Sequence, residues 1–255
     1  MLSADILRAP GRVRHGFFTR QGGVSEGVFA SLNCGYSSGD DVRRVEANRA
    51  RALERLGLAP ASLCTVRQVH GPRVVVAHEP QPKRPTVQAD GLVADRPGIA
   101  LGVLSADCAP VLLADPDAGV IGAAHAGWRG ALAGVIEATV EAMVERGAVR
   151  ERTLAAVGPC IAQASYEVGP ELLTRFTKDD PSSAALFRPV AGADRLLLDL
   201  KGYALRRLAR AGIEQRMALP DDTHADEERF FSARRSRQRG EERFGLLLSA
   251  IALVE

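Results

Sequence analysis

Between Ala89 and Ala126 the chain strings together four short apolar runs, ADGLVAD, IALGVLSAD, APVLLAD and GVIGAAH, separated by Pro, Gly and Asp. Runs of this length bounded by turn residues are strands, and a chain carrying four in succession has to build a sheet. The sharpest break, DPDAG at residues 115–119, joins two of the runs as a hairpin. With residues 116–119 as the loop, Asp115 faces Val120 and Pro110 faces His125; a loop one residue shorter sets His125 opposite Ala109. Either register leaves Cys108 within one or two positions of the partner of His125, inside the roughly 5–8 Å over which cross-strand side chains meet.

The flanks mix strands with helices. RVRHGFFT (12–19) reads as a strand, followed by a Gly- and Ser-rich loop to residue 41. Asp40 or Asp41 caps a helix over VRRVEANRARALERLG that Gly57 closes. LCTVRQVH and PRVVVAH read as strands joined at Gly71-Pro72, and the Pro-rich stretch 79–88 as a stiff surface loop. One helix is expected over ALAGVIEATVEAMVERG, with others at PELLTRF and at LKGYALRRLARAG, the last capped by Asp199 and closed by Gly212. TLAAVG, QRMALP and FGLLLSAIALV complete the strands, and RRSRQR (234–239) reads as a solvated loop, unless its start holds phosphate. Hairpins mixed with packed helices predict one α+β domain over residues 1–255 rather than a doubly wound sheet.

Charge and cysteine usage narrow the function. The 33 basic and 31 acidic side chains nearly cancel, so no global field marks a binder of nucleic acid or membrane, and a small ligand is expected. Four cysteines without a C-x-x-C pair point to free thiols in a reducing compartment. There is neither a basic start followed by an apolar run nor a stretch of about 20 apolar residues, so a cytoplasmic location is expected.

Cys108 and His125 offer a soft and a borderline donor that suit zinc. A third imidazole would leave one coordination position open. His70, in RQVHG at the end of another strand, is the best candidate. The alternative is an inert buried thiol and a histidine satisfied by a backbone carbonyl. His15, His78 and His224 read as surface or capping residues, and Cys160 as a core thiol.

Seven ordered segments, HGFFTRQGGVSEGVFASLN, VRQVHG, ADGLV, SADCAPVLLAD, GAAHAGWRG, GPCIAQASYEVG and RFFSARR, closely resemble the bacterial YfiH family over nearly the whole chain. Members of that family carry laccase-domain, polyphenol oxidase, peptidoglycan editing factor and purine nucleoside phosphorylase labels. The resemblance implies a single domain of stacked mixed β-sheets covered by helices, and a zinc held by His70, Cys108 and His125. It further implies phosphorolysis of adenosine, inosine and methylthioadenosine, with adenosine deamination. One departure stands at Asp222-Thr223, where the family is expected to carry Cys-Thr.

On that reading Cys108, His125 and Asp107 form the catalytic set, with Asp107 either shuttling protons or orienting a histidine. Arg129, at the start of a helix after HAGW, is the leading phosphate contact. Arg49, Asn33 and Gln68 are further substrate contacts, with holding their loops the alternative for Asn33 and Gln68; Arg20, Arg234 and Arg235 are others to weigh, and Trp128 either stacks on a purine or anchors its turn. A Cys108–His125 dyad acting as an amidase on peptidoglycan precursors is the rival enzyme, and a third reading is a non-enzymatic protein with structural zinc. A multicopper oxidase is excluded by five histidines without an H-x-H pair, although a single copper suits the same His-His-Cys donors.

Overall fold

The computed structural model describes residues 1–8, 11–80 and 85–254. In chain order the strands and helices begin with β1 (Val13–Phe17), α1 (Val42–Arg55), β2 (Leu63–Cys64), β3 (Val74–Val76), β4 (Gly91–Ala94), β5 (Ala100–Ser105), β6 (Ala109–Asp115) and β7 (Val120–Ala126). Next come α2 (Trp128–Ala133), α3 (Val135–Val144), β8 (Leu154–Val157), β9 (Glu167–Val168), α4 (Pro170–Asp179), β10 (Phe187–Pro189) and β11 (Leu196–Leu198). The chain closes with α5 (Leu200–Arg210), β12 (Gln215–Ala218), α6 (Ala233–Gln238) and β13 (Leu247–Leu253). Among the described residues these form sheets in the orders β12-β8-β6-β7-β4-β3, β1-β13-β5-β2 and β10-β11-β9.

β6 and β7 form the central hairpin. Every residue of both strands is buried, which is why their sequences are continuously apolar instead of alternating. On one face Val111, Leu113, Val120 and Ala124 pack against α3 and α5 through Ile136, Val140, Met143, Tyr203 and Leu208. On the other, Leu112, Ala114, Ile121 and Ala123 meet Phe17, Leu101, Val103 and Ile251 of the second sheet. The outer side of that second sheet (Ala100, Leu248, Ala250, Ala252) is covered by Ala52, Leu53 and Leu56 at the end of α1. The layers therefore run helix, sheet, sheet, helix, an α+β domain of stacked mixed sheets as the sequence led one to expect.

The hairpin adopts the longer-loop register, with Pro110 opposite His125 and Asp115 opposite Val120. Asp115 stabilises it by accepting the amides of Asp117 and Ala118 at the turn. Asp41 caps α1 by accepting from the amides of Arg43 and Arg44.

Elsewhere the structure departs from expectation. The single helix after His125 is two, because Gly134 adopts a left-handed φ of 94° that ends α2 before α3 begins. β2 and β3 do not pair: β2 runs parallel to β5 in the second sheet and β3 parallel to β4 in the first. The stretch between them is drawn instead onto Asp90, as described below. RRSRQR is largely helical, within α6, whose Ser232 side chain accepts from the Arg235 amide. The sheet β10-β11-β9 is too short in each strand to leave a periodic signal. Of the Pro-rich stretch expected as a surface loop, residues 81–84 lie outside the described residues. No described helix is long and apolar enough to cross a membrane.

Candidate metal centre and its cavity

His70, Cys108 and His125 come together at the end of the central hairpin, with their donor atoms all within 4.8 Å of one another. His125 is the second-to-last residue of β7, and Cys108 immediately precedes β6. His70 arrives from the turn before β3, its ring centroid 4.8 Å from that of His125. Among the described residues this is the cluster of metal-binding side chains that stands out.

Asp90, wholly buried just before β4, organises two of the three. Its carboxylate accepts the backbone amides of Val69, His70 and Gly71 at 2.9–3.0 Å and lies 2.8 Å from Nδ1 of His125. Its carbonyl accepts the His125 amide. A carboxylate acceptor fixes the imidazole proton on Nδ1, which leaves the Nε2 lone pair for a ligand. The three amide bonds also hold His70 at a φ of 60°, a left-handed conformation that a histidine adopts only when its surroundings impose it.

Gly127 is the third element of the construction. A Cβ there would fall 2.8 Å from Cys108 Sγ and 2.8 Å from His70 Nδ1, so the missing side chain is what lets these two donors approach. The electrostatics follow from the clustering. Burial would raise the Cys108 thiol, but His125 and His70 beside it outweigh burial and bring it down to about 6. Burial likewise pulls His125 down, while Cys108 and Asp90 push it up to about 9. By contrast burial lifts Cys34 to about 12, and burial, helped by Asp199, Cys108 and Asp107, lifts Cys160 to about 12. Two imidazoles and an acidified thiol, with one imidazole oriented from behind, form a donor set that fits a borderline metal with one position left open.

The three donors line a cavity of about 1040 Å³. Of the other residues singled out from the sequence, Asp107, Arg129, Arg49, Gln68 and Trp128 line it as well. Asp107 adopts a φ of 87°. Its carboxylate accepts from Thr223 Oγ1, Ser232 Oγ and the Arg234 amide at 2.7–2.9 Å, so it anchors the segment leading into α6 and orients neither histidine. Arg129 is exposed, its guanidinium 4.3 Å from the Trp128 ring centroid. Arg49 is buried, donates to the Cys34 carbonyl and Thr65 Oγ1, and lies over the Tyr36 ring. Gln68 pairs both ends of its amide with the backbone of Leu104.

Asn33 needs correction as a substrate contact. It is wholly buried, donates to Ser38 Oγ and Asp40 Oδ2, and accepts the amides of Gly35 and Leu246. It therefore lies behind the lining residues Ser38 and Leu246, outside the cavity, and has no polar atom left for a ligand. Arg20 and Arg235 are likewise committed to backbone carbonyls. Cys160 is a core thiol outside the metal cluster. His15 is buried, not superficial, and its Nε2 accepts the Ala4 amide. At the departure site, Asp222 accepts from Ser165 Oγ and the amides of Ala162 and His224.

The sequence reasoning missed Asp90 although it lies in one of the quoted motifs. The available signal was its place at the mouth of a strand neighbouring β7, since metal-bound histidines generally back onto a carboxylate or carbonyl.

Residues 14–254 match the family described as multi-copper polyphenol oxidoreductase laccase. A purine nucleoside phosphorylase of Deinococcus radiodurans is 46% identical over 204 residues, covering 77% of this chain and 79% of that one. Escherichia coli K12 purine nucleoside phosphorylase YfiH is 38% identical over 223 residues, covering 87% and 88% respectively. The chain belongs to the YfiH family. Solved structures agree on its fold: Neisseria meningitidis protein NMB0706 superposes with a TM-score of 0.86 at 33% identity, over 97% of this chain and 96% of that one. YlmD of Geobacillus stearothermophilus gives 0.89 at 30% identity, over 99% and 94%. In this YfiH-family chain the copper-oxidase wording does not extend to a multicopper centre, which requires more imidazoles than its five histidines provide.

Proposed function

We propose that this chain is a zinc-dependent purine nucleoside phosphorylase, acting on adenosine, inosine and methylthioadenosine, that also deaminates adenosine. The observation that carries the reading is the His70–Cys108–His125 cluster at a ligand-sized, arginine-lined cavity, in a family whose curated relatives are named purine nucleoside phosphorylases. The donor set, the His125 Nε2 that Asp90 leaves turned to Cys108, and the space left by Gly127 all suit a metal held by three side chains.

Zinc bound there supplies Lewis acidity, able to polarise a purine atom or to lower the pKa of a water toward roughly 7. The chain's own residues supply the rest. Asp90 fixes the proton on His125 Nδ1 and shapes the His70 turn. Arg129 and Arg234 face the cavity and hold phosphate against the ribose. Trp128 offers its ring to the purine. Asp107 keeps Arg234 in place through that residue's amide.

A second reading rests on the same pair: Cys108, acidified by His125, as the nucleophile of an amidase. Metal content separates the two, because a thiolate committed to a metal is a poor nucleophile. The test is product chromatography after incubating zinc-analysed protein with adenosine, with and without phosphate. Adenine that appears only with phosphate supports the phosphorylase, and inosine in either condition supports the deaminase. Absence of product from a zinc-loaded protein overturns both. Cys108→Ala and His125→Ala lose metal and activity together, whereas Cys160→Ala keeps both.

A further inference from the structure

The cavity is far more cationic than the chain that forms it. The sequence as a whole is nearly neutral, with 33 basic and 31 acidic side chains. Yet Arg49, Arg67, Arg129, Arg234, Arg237 and Arg243 line the cavity against two carboxylates, Asp107 and Glu242. Asp107 is already taken by Thr223, Ser232 and the Arg234 amide. Among the described residues none of the six arginines forms an ion pair, whereas Arg150, Arg152, Arg207, Arg229 and Arg239 each do. Six guanidinium groups gathered in a cleft with one uncommitted carboxylate, Glu242, focus its field toward anions.

α6 sets these charges out in order. Its first turn hangs on Asp107, next to Cys108, and the Arg234 guanidinium lies over the Tyr166 ring at that inner end. Arg237 lines the same cavity three residues later, about 4.5 Å further along the helix. Beyond the helix Arg243 lies beside Gly39, donating to its carbonyl, on the wall formed by Tyr36 and Ser38. Relative to Cys108 at the inner end of α6, Arg237 and Arg243 thus form the outer pair of cations, beyond Arg234. The volume of about 1040 Å³ sits at the top of the roughly 300–1,000 Å³ typical of small-molecule sites, so there is room beyond a nucleoside and one phosphate ion.

We propose that the cavity binds purine nucleosides bearing a 5′-phosphate, with base and ribose at the metal end and the 5′-phosphate on Arg237 and Arg243. This rests on the nucleoside reading given above. With the base inward, the ribose carbon that projects away from it is C5′, which brings its substituent past Arg234 to the outer pair. Such nucleotides compete with the unphosphorylated nucleoside for one site.

The test is calorimetric titration of the zinc-loaded protein with adenosine and with adenosine 5′-monophosphate at low salt. The monophosphate is expected to bind at least tenfold more tightly, with the preference shrinking as salt rises. An Arg237→Gln/Arg243→Gln double variant is expected to bring the affinity ratio close to one. Both side chains are exposed, and a thermal melt checks that the variant folds. Arg237→Lys/Arg243→Lys should keep most of the preference. Equal affinities in the native protein, or binding of neither ligand, overturn the proposal. So does a preference that survives the double variant and vanishes in Arg129→Gln/Arg234→Gln, because the phosphate would then occupy the phosphorolysis position. Adenosine turnover is scored separately: turnover without a monophosphate preference defeats this proposal alone, and the preference without turnover supports it while defeating the phosphorylase.

Discussion

Alanine at Gly127 should separate folding from metal binding. The backbone there has φ −67° and ψ 164°, open to any residue, so the substitution adds no backbone strain. The new Cβ would lie 2.8 Å from Cys108 Sγ and His70 Nδ1 and 3.2 Å from His70 Cε1. Ordinary contact begins near 3.4 Å, so the thiol and the ring must each withdraw by about 0.6 Å. Both are side-chain ends that can rotate, and overpacking of this kind costs about 1–3 kcal/mol, a fall of several degrees in Tm for a chain of this size. A metal is less tolerant. Zinc–ligand lengths hold to about 0.2 Å, so the displacement is some three times what coordination accepts. The expected result is a folded Gly127→Ala protein whose zinc affinity is at least tenfold weaker, removing about 1.4 kcal/mol of zinc-dependent stabilisation. Melts of metal-free and zinc-loaded protein, with zinc titration against a chromophoric chelator, measure both. Native zinc affinity in this variant would refute the claim that the absent side chain sets the spacing of the donors.

Three further outcomes follow from the geometry. Asp90→Asn puts an amide N–H₂ where three backbone amides and His125 donate. It should cost about 2–4 kcal/mol in urea unfolding and about 10–100-fold in zinc affinity; native values for both would remove Asp90 from the support of the site. In metal-free protein near pH 7, iodoacetamide should label Cys108, whose thiol sits at about 6, well before Cys34 and Cys160 at about 12. Peptide mass spectrometry reads the order, and zinc should suppress the Cys108 label. Burial, with Arg8 nearby, lowers His15 to about 4, so the unfolded chain binds its proton first as the pH falls. Its contribution is complete above the ordinary value of 6.5 and declines toward pH 4, by about 2–3 kcal/mol. His15→Gln, which keeps an acceptor for Ala4, should flatten the pH dependence of stability across that window.

The legible parts of this protein are those whose cause lies within a few residues. The DPDAG turn settles the β6–β7 hairpin to within one residue, because Asp115 bonds the amides two and three positions on. The turn by itself therefore brings Cys108 near His125. The α1 cap at Asp41 is equally local. Gly134 was visible too, but its ability to divide a helix depends on a left-handed φ that α2 and α3 packing imposes. α6 carried a local signal, the Ser232 cap, masked by a run of arginines that reads as solvated surface.

Asn33 and Asp107 show the limit from the other side. Both are polar residues beside motif positions whose hydrogen bonds reach chain segments far away in sequence: Leu246 for Asn33, beside its local partners Gly35, Ser38 and Asp40, and Thr223, Ser232 and Arg234 for Asp107. Asp90 is the converse case, unremarkable in sequence yet joined to His70 and His125 at separations of 20 and 35 residues. Residue chemistry and turn grammar are properties of short segments, so the strands, the caps and the pairing of one thiol with one imidazole follow from the chain alone. Which carboxylate backs a histidine, which arginines lose their counter-charges and which glycine makes room for a metal are settled by packing between segments, because only the folded layers bring them within hydrogen-bonding distance.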